Sequence, residues 1–175
     1  MRTDPGPSAG DGVSDEPVIR PARLEESQAA ADLLWAVREQ SLALGFIPEG
    51  VHPLDDMREW MRDVVFAQHD VWVAAEPGGS LVGLMVLRQP DWLEHLYIDA
   101  SATNRGVGTR MVEVAKRELT ALQVQLWTFQ SNTGARRFYE RHAFVAVQTT
   151  DGDNEEQAPD VRYVWRREEP ASRSE

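Results

Sequence analysis

The chain has 175 residues, of which 42% are hydrophobic and 27% are charged, and this composition is typical of a single folded domain rather than a disordered chain. The absence of cysteine excludes disulfides, thiolate metal sites, iron–sulfur clusters and a cysteine nucleophile. No apolar run approaches the roughly 18 residues that a membrane span needs, and residues 1–16 lack the apolar stretch of a secretory signal. We therefore expect a cytoplasmic protein that makes no contact with a membrane.

The formal net charge of −11 is unevenly distributed along the chain. Eight of these negative charges lie in residues 1–16 and 151–160, so the rest of the chain is nearly balanced. Because binding to a nucleic-acid backbone needs a basic surface, this charge argues against nucleic acid as a partner. We predict a disordered acidic tail over residues 1–16, a folded domain over 17–167 and a second tail over 168–175.

Hydrophobic periodicity predicts an alternation of strands and helices across the folded domain. In chain order, the predicted elements are a strand at 18–21, helices at 30–44 and 54–65, strands at 71–75, 81–87 and 92–98, a helix at 107–122, a strand at 124–129, a helix at 133–141, and strands at 144–150 and 161–165. This β-α-α-β-β-β-α-β-α-β-β order predicts an α/β fold with a mixed, mostly antiparallel central sheet flanked by helices.

The most informative segment leads from the strand at 92–98 through a glycine-rich turn into the helix that begins at Val107. Such a turn leaves backbone N–H groups unpaired at the positive end of a helix, where an anion is their favoured partner. Gly106 and Gly108 allow a close approach of that anion, so the turn predicts a site for phosphate or pyrophosphate. Met111 stands where a dinucleotide fingerprint needs a third glycine, which argues against a Rossmann site.

Two segments of the chain resemble the motifs of the GNAT superfamily of acetyl-coenzyme A-dependent N-acetyltransferases, and they occur in the family's order. The first is Leu96-Tyr97-Ile98 followed by Arg105-Gly106-Val107-Gly108, and the second is Asn132-x-x-Ala135-x-x-Phe138-Tyr139-Glu140-x-x-x-Phe144. The resemblance covers roughly residues 17–167. It implies the GNAT fold and acetyl-coenzyme A as co-substrate, without a metal.

The resemblance also implies a role for each matching residue. The backbone of Leu96, Tyr97 and Ile98 would pair with the pantetheine arm, in an opening between this strand and the one at 124–129. Asn132 would contact the pantetheine, or only cap its helix. Tyr139 would direct its hydroxyl at the thioester sulfur, or only pack in the core. The pyrophosphate would be held by backbone N–H groups of Asn104, Arg105, Gly106, Val107, Gly108 and Thr109.

Four positions depart from the family pattern, namely Ala100, Thr103, Asn104 and Ala143, and two of them bear on cofactor affinity or stability. Thr103 stands where the family usually has Gln or Arg, so a side-chain contact to phosphate is in doubt and the cofactor affinity is expected to be lower. Ala143 stands where the family usually has Gly. If that residue has a positive φ, the substitution costs on the order of 1 kcal/mol.

The chemistry of amine acetylation requires a proton acceptor, because a primary amine with a pKa near 10.4 is almost entirely protonated at neutral pH. Strict alternation in the strand at 92–98 places Trp92, Glu94, Leu96 and Ile98 on one face and Leu93, His95 and Tyr97 on the other. Glu94 is therefore the candidate base, and an exposed strand carboxylate or a water relay are the alternatives. His95 is predicted to serve in packing or to lie at the surface. For Tyr139 we favour hydrogen bonding to the departing thiolate over complete proton transfer.

The amine acceptor is expected between the two early helices and the loops near the last strands. Aromatic rings beside carboxylates suit a cationic amine, although the acidic loop could equally be a solvated surface. The candidate acceptor residues are Trp35, Phe46, Trp60, Trp127, Glu155, Glu156 and Asp160. The resemblance implies acetyl transfer by direct attack in a ternary complex, to a small-molecule amine rather than a protein. The alternative is a non-catalytic acyl-coenzyme A-binding or sensor domain, and a homodimer is an open alternative to a monomer.

Overall fold

The structure, a computed structural model, describes residues 15–50 and 52–168. Of the predicted tails, at 1–16 and 168–175, residues 1–14 and 169–175 lie outside the described residues. The strands are β1 (Val18–Pro21), β2 (Asp70–Ala75), β3 (Leu81–Arg88), β4 (Trp92–Ile98), β5 (Gln123–Phe129), β6 (Val145–Thr150) and β7 (Asp160–Arg166). The helices are α1 (Ser27–Ala43), α2 (Leu54–Trp60), a π-helical turn (Met61–Val65), α3 (Phe66–Gln68), α4 (Val107–Glu118) and α5 (Thr133–Arg141).

The strands form one seven-stranded sheet in the order β1-β2-β3-β4-β5-β7-β6. Every neighbouring pair is antiparallel except β4 and β5, which are parallel. The predicted order of elements and the mixed, mostly antiparallel sheet are therefore confirmed. Among the described helices, none combines the length and the hydropathy that a bilayer span requires.

Each face of the sheet packs against its own set of helices. On one face, α4 and α5 bury apolar residues such as Met111 and Tyr139 in a cluster that we call the α4–α5 cluster. On the other face, α1 and the helical segment from α2 to α3 bury residues such as Leu34 and Met61, which form the α1–α2 cluster. The placement of α4 follows from its amphipathic periodicity, because Val107, Met111 and Val114 lie on one face of the helix and are buried.

The entry into α1 is fixed by the carboxylate of Glu26. It accepts two hydrogen bonds from the Arg20 guanidinium, at 2.9 and 2.7 Å, and another from the backbone N–H of Arg23 at 2.8 Å. The hydrogen bonds from Arg20, which outweigh the opposing effect of burial, hold the pKa of Glu26 well below its ordinary range. This carboxylate therefore joins β1 to the start of α1 only while it is ionised.

A β-bulge in β4 changes which side chains share a face. Val86 of β3 pairs with His95, and Leu87 pairs with Leu93, so Glu94 is the extra residue of the bulge. Leu93 consequently joins Ile98 on the side of the α4–α5 cluster. The predicted strict alternation, with Leu93 on the face of His95 and Glu94 on the face of Ile98, is wrong because one inserted residue shifts the period of two.

Candidate active site

The central feature of the site is an opening between β4 and β5. These parallel strands pair only at Trp92 and Gln125, next to a hydrogen bond of 2.8 Å from the Gln125 N–H to the Asp91 carbonyl. No pair follows along the remainder of β4, so the side of Leu96, Tyr97 and Ile98 that faces β5 has no strand partner. The opening expected in this place is present, and it exposes backbone donors and acceptors to any extended ligand.

The turn before α4 presents a row of free backbone amides at one end of this opening. Within residues 15–50 and 52–168, the N–H groups of Asn104, Gly106, Val107, Gly108 and Thr109 donate to no protein acceptor. The Arg105 N–H departs from the predicted row, because it donates to the Ala102 carbonyl at 3.4 Å. Five free donors at the start of a twelve-residue helix are groups to which an anion can bind.

The backbone conformation of the turn explains two of its residues. Asn104 and Gly106 have positive φ values, of 63° and 75°, and the residue between them does not. Such an alternation of positive and negative φ turns successive N–H groups toward one side of the backbone. A Cβ on Gly106 would meet nothing within 4 Å, so the space in front of it is open. A Cβ on Gly108 would instead lie 3.3 Å from the Phe138 ring, so Gly108 permits α4 to pack closely on α5.

Side chains around the turn are engaged by other protein groups. The Thr103 hydroxyl donates to the Asp99 carbonyl at 3.2 Å. Arg105 forms an ion pair of 2.6 Å with Glu76, and Arg110 forms one of 3.3 Å with Glu16. Glu16 belongs to the predicted acidic tail, so the end of that segment contacts the turn. The free backbone amides, rather than these side chains, are the groups available to an anion.

Two residues of α5 complete the cofactor side of the opening. Asn132 caps α5, since its Oδ1 accepts a hydrogen bond of 3.0 Å from the Ala135 N–H. Its Nδ2 has no partner among the described residues and remains able to donate to a ligand. Tyr139 is buried, with its ring edge-on to Phe138 at 5.3 Å and to Phe144 at 5.6 Å.

The Tyr139 hydroxyl makes no hydrogen bond within the described part of the chain. Burial, with a smaller contribution from Tyr97, raises the pKa of Tyr139 well above its usual value near 10. Tyr97 packs on the α1–α2 cluster, whereas Tyr139 belongs to the α4–α5 cluster. The two phenols therefore approach each other from opposite faces of the sheet, next to the opening between β4 and β5.

A cavity of about 600 Å³ lies on the α1–α2 face of the sheet. Its walls come from α1, the loop after α1, α2, β4 and the loop between β6 and β7. Four of the candidate acceptor residues line it, namely Trp35, Trp60, Glu155 and Glu156. Phe46 and Trp127 are not among its lining residues. The Phe46 carbonyl accepts a hydrogen bond from the Ser131 hydroxyl, and Trp127 lies on β5.

Asp160 is also absent from the cavity, and the prediction that it attracts the acceptor is corrected. It is buried, and its carboxylate accepts hydrogen bonds from the Thr150 hydroxyl at 2.5 Å and from the Asn154 amide at 3.0 Å. These bonds fix the two ends of the β6–β7 loop to each other. Because a buried carboxylate must be satisfied by donors of this kind, Asp160 has a structural role.

The base candidate Glu94 is bound by a neighbouring cation. Its carboxylate forms an ion pair with the Arg88 guanidinium, which also lies over the Trp92 ring at 5.2 Å. Glu94 is not among the residues that line the cavity. The bulge, together with this ion pair, places Glu94 apart from the groups that an acceptor in the cavity would touch.

The residue that sequence reasoning missed is His95. Its ring lines the cavity, edge-on to Trp60 at 5.7 Å and stacked on Tyr97 at 5.9 Å. Burial lowers the pKa of His95 to about 4, with smaller lowering effects from Arg38 and His69 and an opposite effect from Glu94. His95 is therefore neutral at pH 7. The alternation correctly predicted that His95 shares the face of Tyr97, but no sequence signal indicated that this face forms the wall of a cavity.

Arg38 was missed as well, and it crosses the cavity from α1. It forms an ion pair of 3.2 Å with Glu156 of the β6–β7 loop. Burial acts to lower the pKa of Arg38, but the neighbouring Tyr97 and Glu156 raise it above its ordinary value. A second ion pair of 2.7 Å joins His52 to Glu155. Both acidic residues predicted to attract an acceptor are thus already in contact with basic side chains.

The sheet is antiparallel except at the pair β4 and β5, where it opens. Free amides lie beside this opening, and a cavity lies on the α1–α2 face of the sheet. This combination is that of an acyl-coenzyme A N-acyltransferase fold. The model of the Acetyltransferase (GNAT) family matches residues 30–144, which is more than half of the chain. The chain belongs to this family, and it is a GNAT-type N-acetyltransferase. The resemblance stated from the two motifs is confirmed.

Solved structures agree on the fold. A crystal structure from Corynebacterium glutamicum, described as histone acetyltransferase HPA2 and related acetyltransferase, has a TM-score of 0.69 at 17% identity, over 89% of this chain and 99% of that chain. The solution structure of apo YjaB from Escherichia coli has a TM-score of 0.66 at 20% identity, over 85% and 96%. A crystal structure of the NatC complex bound to Gag peptide and CoA has a TM-score of 0.60 at 14% identity, over 86% of this chain and 98% of that chain. No curated protein matches the sequence.

Proposed function

We propose that the chain transfers the acetyl group of acetyl-coenzyme A to the amine of a small cationic molecule by direct attack in a ternary complex. The observation that carries this proposal is the opening between β4 and β5, which has free amides on one side and an acidic, aromatic cavity on the other. A thioester in the opening would be approached by an acceptor from the cavity. Neither substrate would have to leave before the other enters.

On the cofactor side, the free amides of residues 104 and 106–109 would bind the pyrophosphate. The pantetheine arm would pair with the backbone of Leu96, Tyr97 and Ile98 as an added strand, because that side of β4 lacks a partner. The free Nδ2 of Asn132 is a donor for a pantetheine carbonyl. This supports acetyl-coenzyme A as the co-substrate that the family uses.

In the reaction, the neutral amine attacks the thioester carbonyl, a C–N bond forms, and the C–S bond then breaks. The negative charge that develops on sulfur needs a donor, and the unpartnered hydroxyl of Tyr139 supplies one. Its raised pKa makes complete proton transfer to the thiolate unfavourable. The proton that neutralises the thiolate would therefore come from the ammonium of the tetrahedral intermediate.

The proton of the incoming ammonium would leave through water. Glu94 remains a candidate for this step, but its ion pair with Arg88 opposes a direct role. A water relay into the acidic cavity avoids that obstacle, because several exposed carboxylates line the route to solvent. Glu94→Gln then lowers turnover less than about tenfold, whereas a direct base would be worth about a hundredfold or more.

The test is a thiol-release assay with acetyl-coenzyme A against aminoglycosides, polyamines, amino acids and peptides, run beside thermal denaturation with and without the cofactor. Thermal stabilisation together with thiol release on a cationic small amine supports the proposal. The absence of both would refute it, because the amide turn would then bind no coenzyme A.

The competing function is a non-catalytic acyl-coenzyme A sensor. It is favoured by Thr103, whose hydroxyl is engaged by the Asp99 carbonyl, and by the absence of a free base at Glu94. Stabilisation by acetyl-coenzyme A without thiol release on any amine of the panel would select this function over catalysis. Thiol release above the rate without acceptor would exclude it.

A further inference from the structure

The acceptor cavity has a strongly one-sided charge. Its lining contains one guanidinium, that of Arg38, against five carboxylates. These carboxylates belong to Glu39, Glu49, Asp56, Glu155 and Glu156. The last two are paired with Arg38 and His52, as described above. A cation entering the cavity would therefore meet an excess of negative charge.

Three of the carboxylates are available to a ligand. Glu39 lies on α1, Glu49 on the loop that follows it, and Asp56 on α2. All three are exposed, and none has an ion pair or hydrogen bond within residues 15–50 and 52–168. Because they come from three different segments and converge on one cavity, they can surround a single cationic group. We call them the mouth carboxylates.

The depth of the cavity separates these carboxylates from a second polar group. On α1, the lining runs from the buried Leu34 to the exposed Glu39. Five residues of α-helix span about 7.5 Å along the axis. The mouth and the bottom of the cavity are therefore separated by roughly the length of a short extended alkyl chain.

His95 of β4 is a second polar group that lines the cavity. Its ring nitrogens make no hydrogen bond within the described residues, although the ring lies between Trp60 and Tyr97. Because the imidazole is neutral, one of its nitrogens can accept a hydrogen bond from an N–H group. The ring is partly exposed and lines the cavity, so a ligand in the cavity can bond to this nitrogen.

We propose that the acceptor is a small molecule with two cationic nitrogens, of which one is acetylated beside His95 while the other lies among the mouth carboxylates. This inference rests on the proposed acetyl transfer and names the class of its acceptor. A cavity of about 600 Å³ holds a linear or ring-containing diamine of this span, and the indoles of Trp35 and Trp60 would cover its apolar part.

The two nitrogens have different fates in the reaction. The nitrogen at His95 loses its proton to water, attacks the carbonyl carbon and becomes an uncharged amide, while coenzyme A leaves as the thiol after taking up a proton. The nitrogen at the mouth stays protonated throughout. The product therefore carries one positive charge fewer than the substrate, which weakens its attraction to the cavity and favours its release.

The experiment compares linear α,ω-diamines of graded length with monoamines of the same chain length, using kcat/KM from thiol release. The wild-type protein is expected to prefer the best diamine over its matched monoamine by about tenfold or more, as several exposed ion pairs together would give. In the variant Glu39→Gln/Glu49→Gln/Asp56→Asn, this preference is expected to fall to about twofold.

The matched control is Glu113→Gln/Glu168→Gln/Asp153→Asn, which removes three negative charges from exposed positions outside the cavity. It should leave the preference intact. Equal use of diamines and monoamines by the wild type, equal loss of preference in both variants, or faster acetylation of basic peptides than of any diamine would overturn the inference. Acetylation of monoamines in these outcomes would still leave the proposed function standing, whereas binding of acetyl-coenzyme A without acetylation of any amine would refute that function instead.

Discussion

Replacing Tyr139 with Phe removes one hydroxyl and leaves the packing of the ring in place. The ring keeps its contacts with Phe138 and Phe144, and the hydroxyl has no hydrogen-bond partner within the described residues. Loss of a typical intramolecular hydrogen bond costs about 1 kcal/mol, so removing an unpaired hydroxyl should change the free energy of unfolding by less than that. Any large loss of activity in this variant would therefore come from chemistry rather than unfolding.

The size of the kinetic effect follows from the charge that the hydroxyl meets. A hydrogen bond to a charged group contributes about 1.5–3 kcal/mol, and the buried position of Tyr139 weakens competition from water. Since 1.36 kcal/mol corresponds to a factor of ten, kcat should fall by roughly 10- to 100-fold. The affinity for acetyl-coenzyme A should change little, because the charge on sulfur develops only as the C–S bond breaks.

The assay is thiol release at saturating acceptor, with cofactor affinity measured by thermal denaturation. Because the pKa of Tyr139 is raised above its usual value near 10, the wild type should show no loss of rate from ionisation of this phenol up to about pH 10. Tyr163→Phe is the matched control, since the Tyr163 hydroxyl donates to Glu140 at 2.8 Å. It should lose about 1–2 kcal/mol of stability with little change in kcat. Unchanged kcat in Tyr139→Phe would refute the reasoning.

Three further substitutions test local features of the fold by thermal or urea denaturation. Ala143 has a φ of 63°, so Ala143→Gly should stabilise the protein by about 1 kcal/mol, and a loss of stability would contradict the left-handed conformation. Glu26→Gln should lower the free energy of unfolding by about 1 kcal/mol at pH 7. Because the pKa of Glu26 is lowered in the folded protein, its contribution to stability is complete above the unfolded-state pKa near 4 and is lost as the pH falls below that value. An equal difference in unfolding free energy between the wild type and Glu26→Gln at pH 7 and at pH 3 would contradict the lowered pKa of Glu26. Asp160→Asn should lower stability by about 1–2 kcal/mol while leaving the acceptor KM within about twofold, and a larger change in KM would restore its predicted role in binding.

The cofactor side of the site could be predicted from the sequence because its parts are contiguous. The strand, the turn and the start of α4 occupy residues 92–109, and the free amides follow from helix geometry wherever a helix begins in such a turn. At Ala143 the resemblance indicated a position where the family usually has Gly, and the condition stated for a cost of substitution is met, because φ is positive.

The acceptor side could not be predicted in the same way, because contacts between distant segments assemble it. A single bulge moves Leu93 and Glu94 away from their expected faces, and no residue type in β4 marks where an insertion falls. Asp160 has the same charge as its neighbours in the acidic loop, yet burial makes it structural. Which carboxylate faces a ligand depends on the path of the loop rather than on its composition.

These two sides of the opening also differ in how freely they can change. The amide turn uses backbone groups whose positions depend on α4 and the sheet, so altering it would disturb the α4–α5 cluster, as the close approach of Gly108 to Phe138 indicates. The mouth carboxylates are exposed side chains on α1, a loop and α2, where substitutions usually change stability by less than about 0.5 kcal/mol. The proposed acceptor site can therefore be altered at little cost to the fold, whereas the proposed cofactor turn cannot. Substitutions at Glu39, Glu49 and Asp56 should consequently change the ranking of amines before they change the affinity for acetyl-coenzyme A.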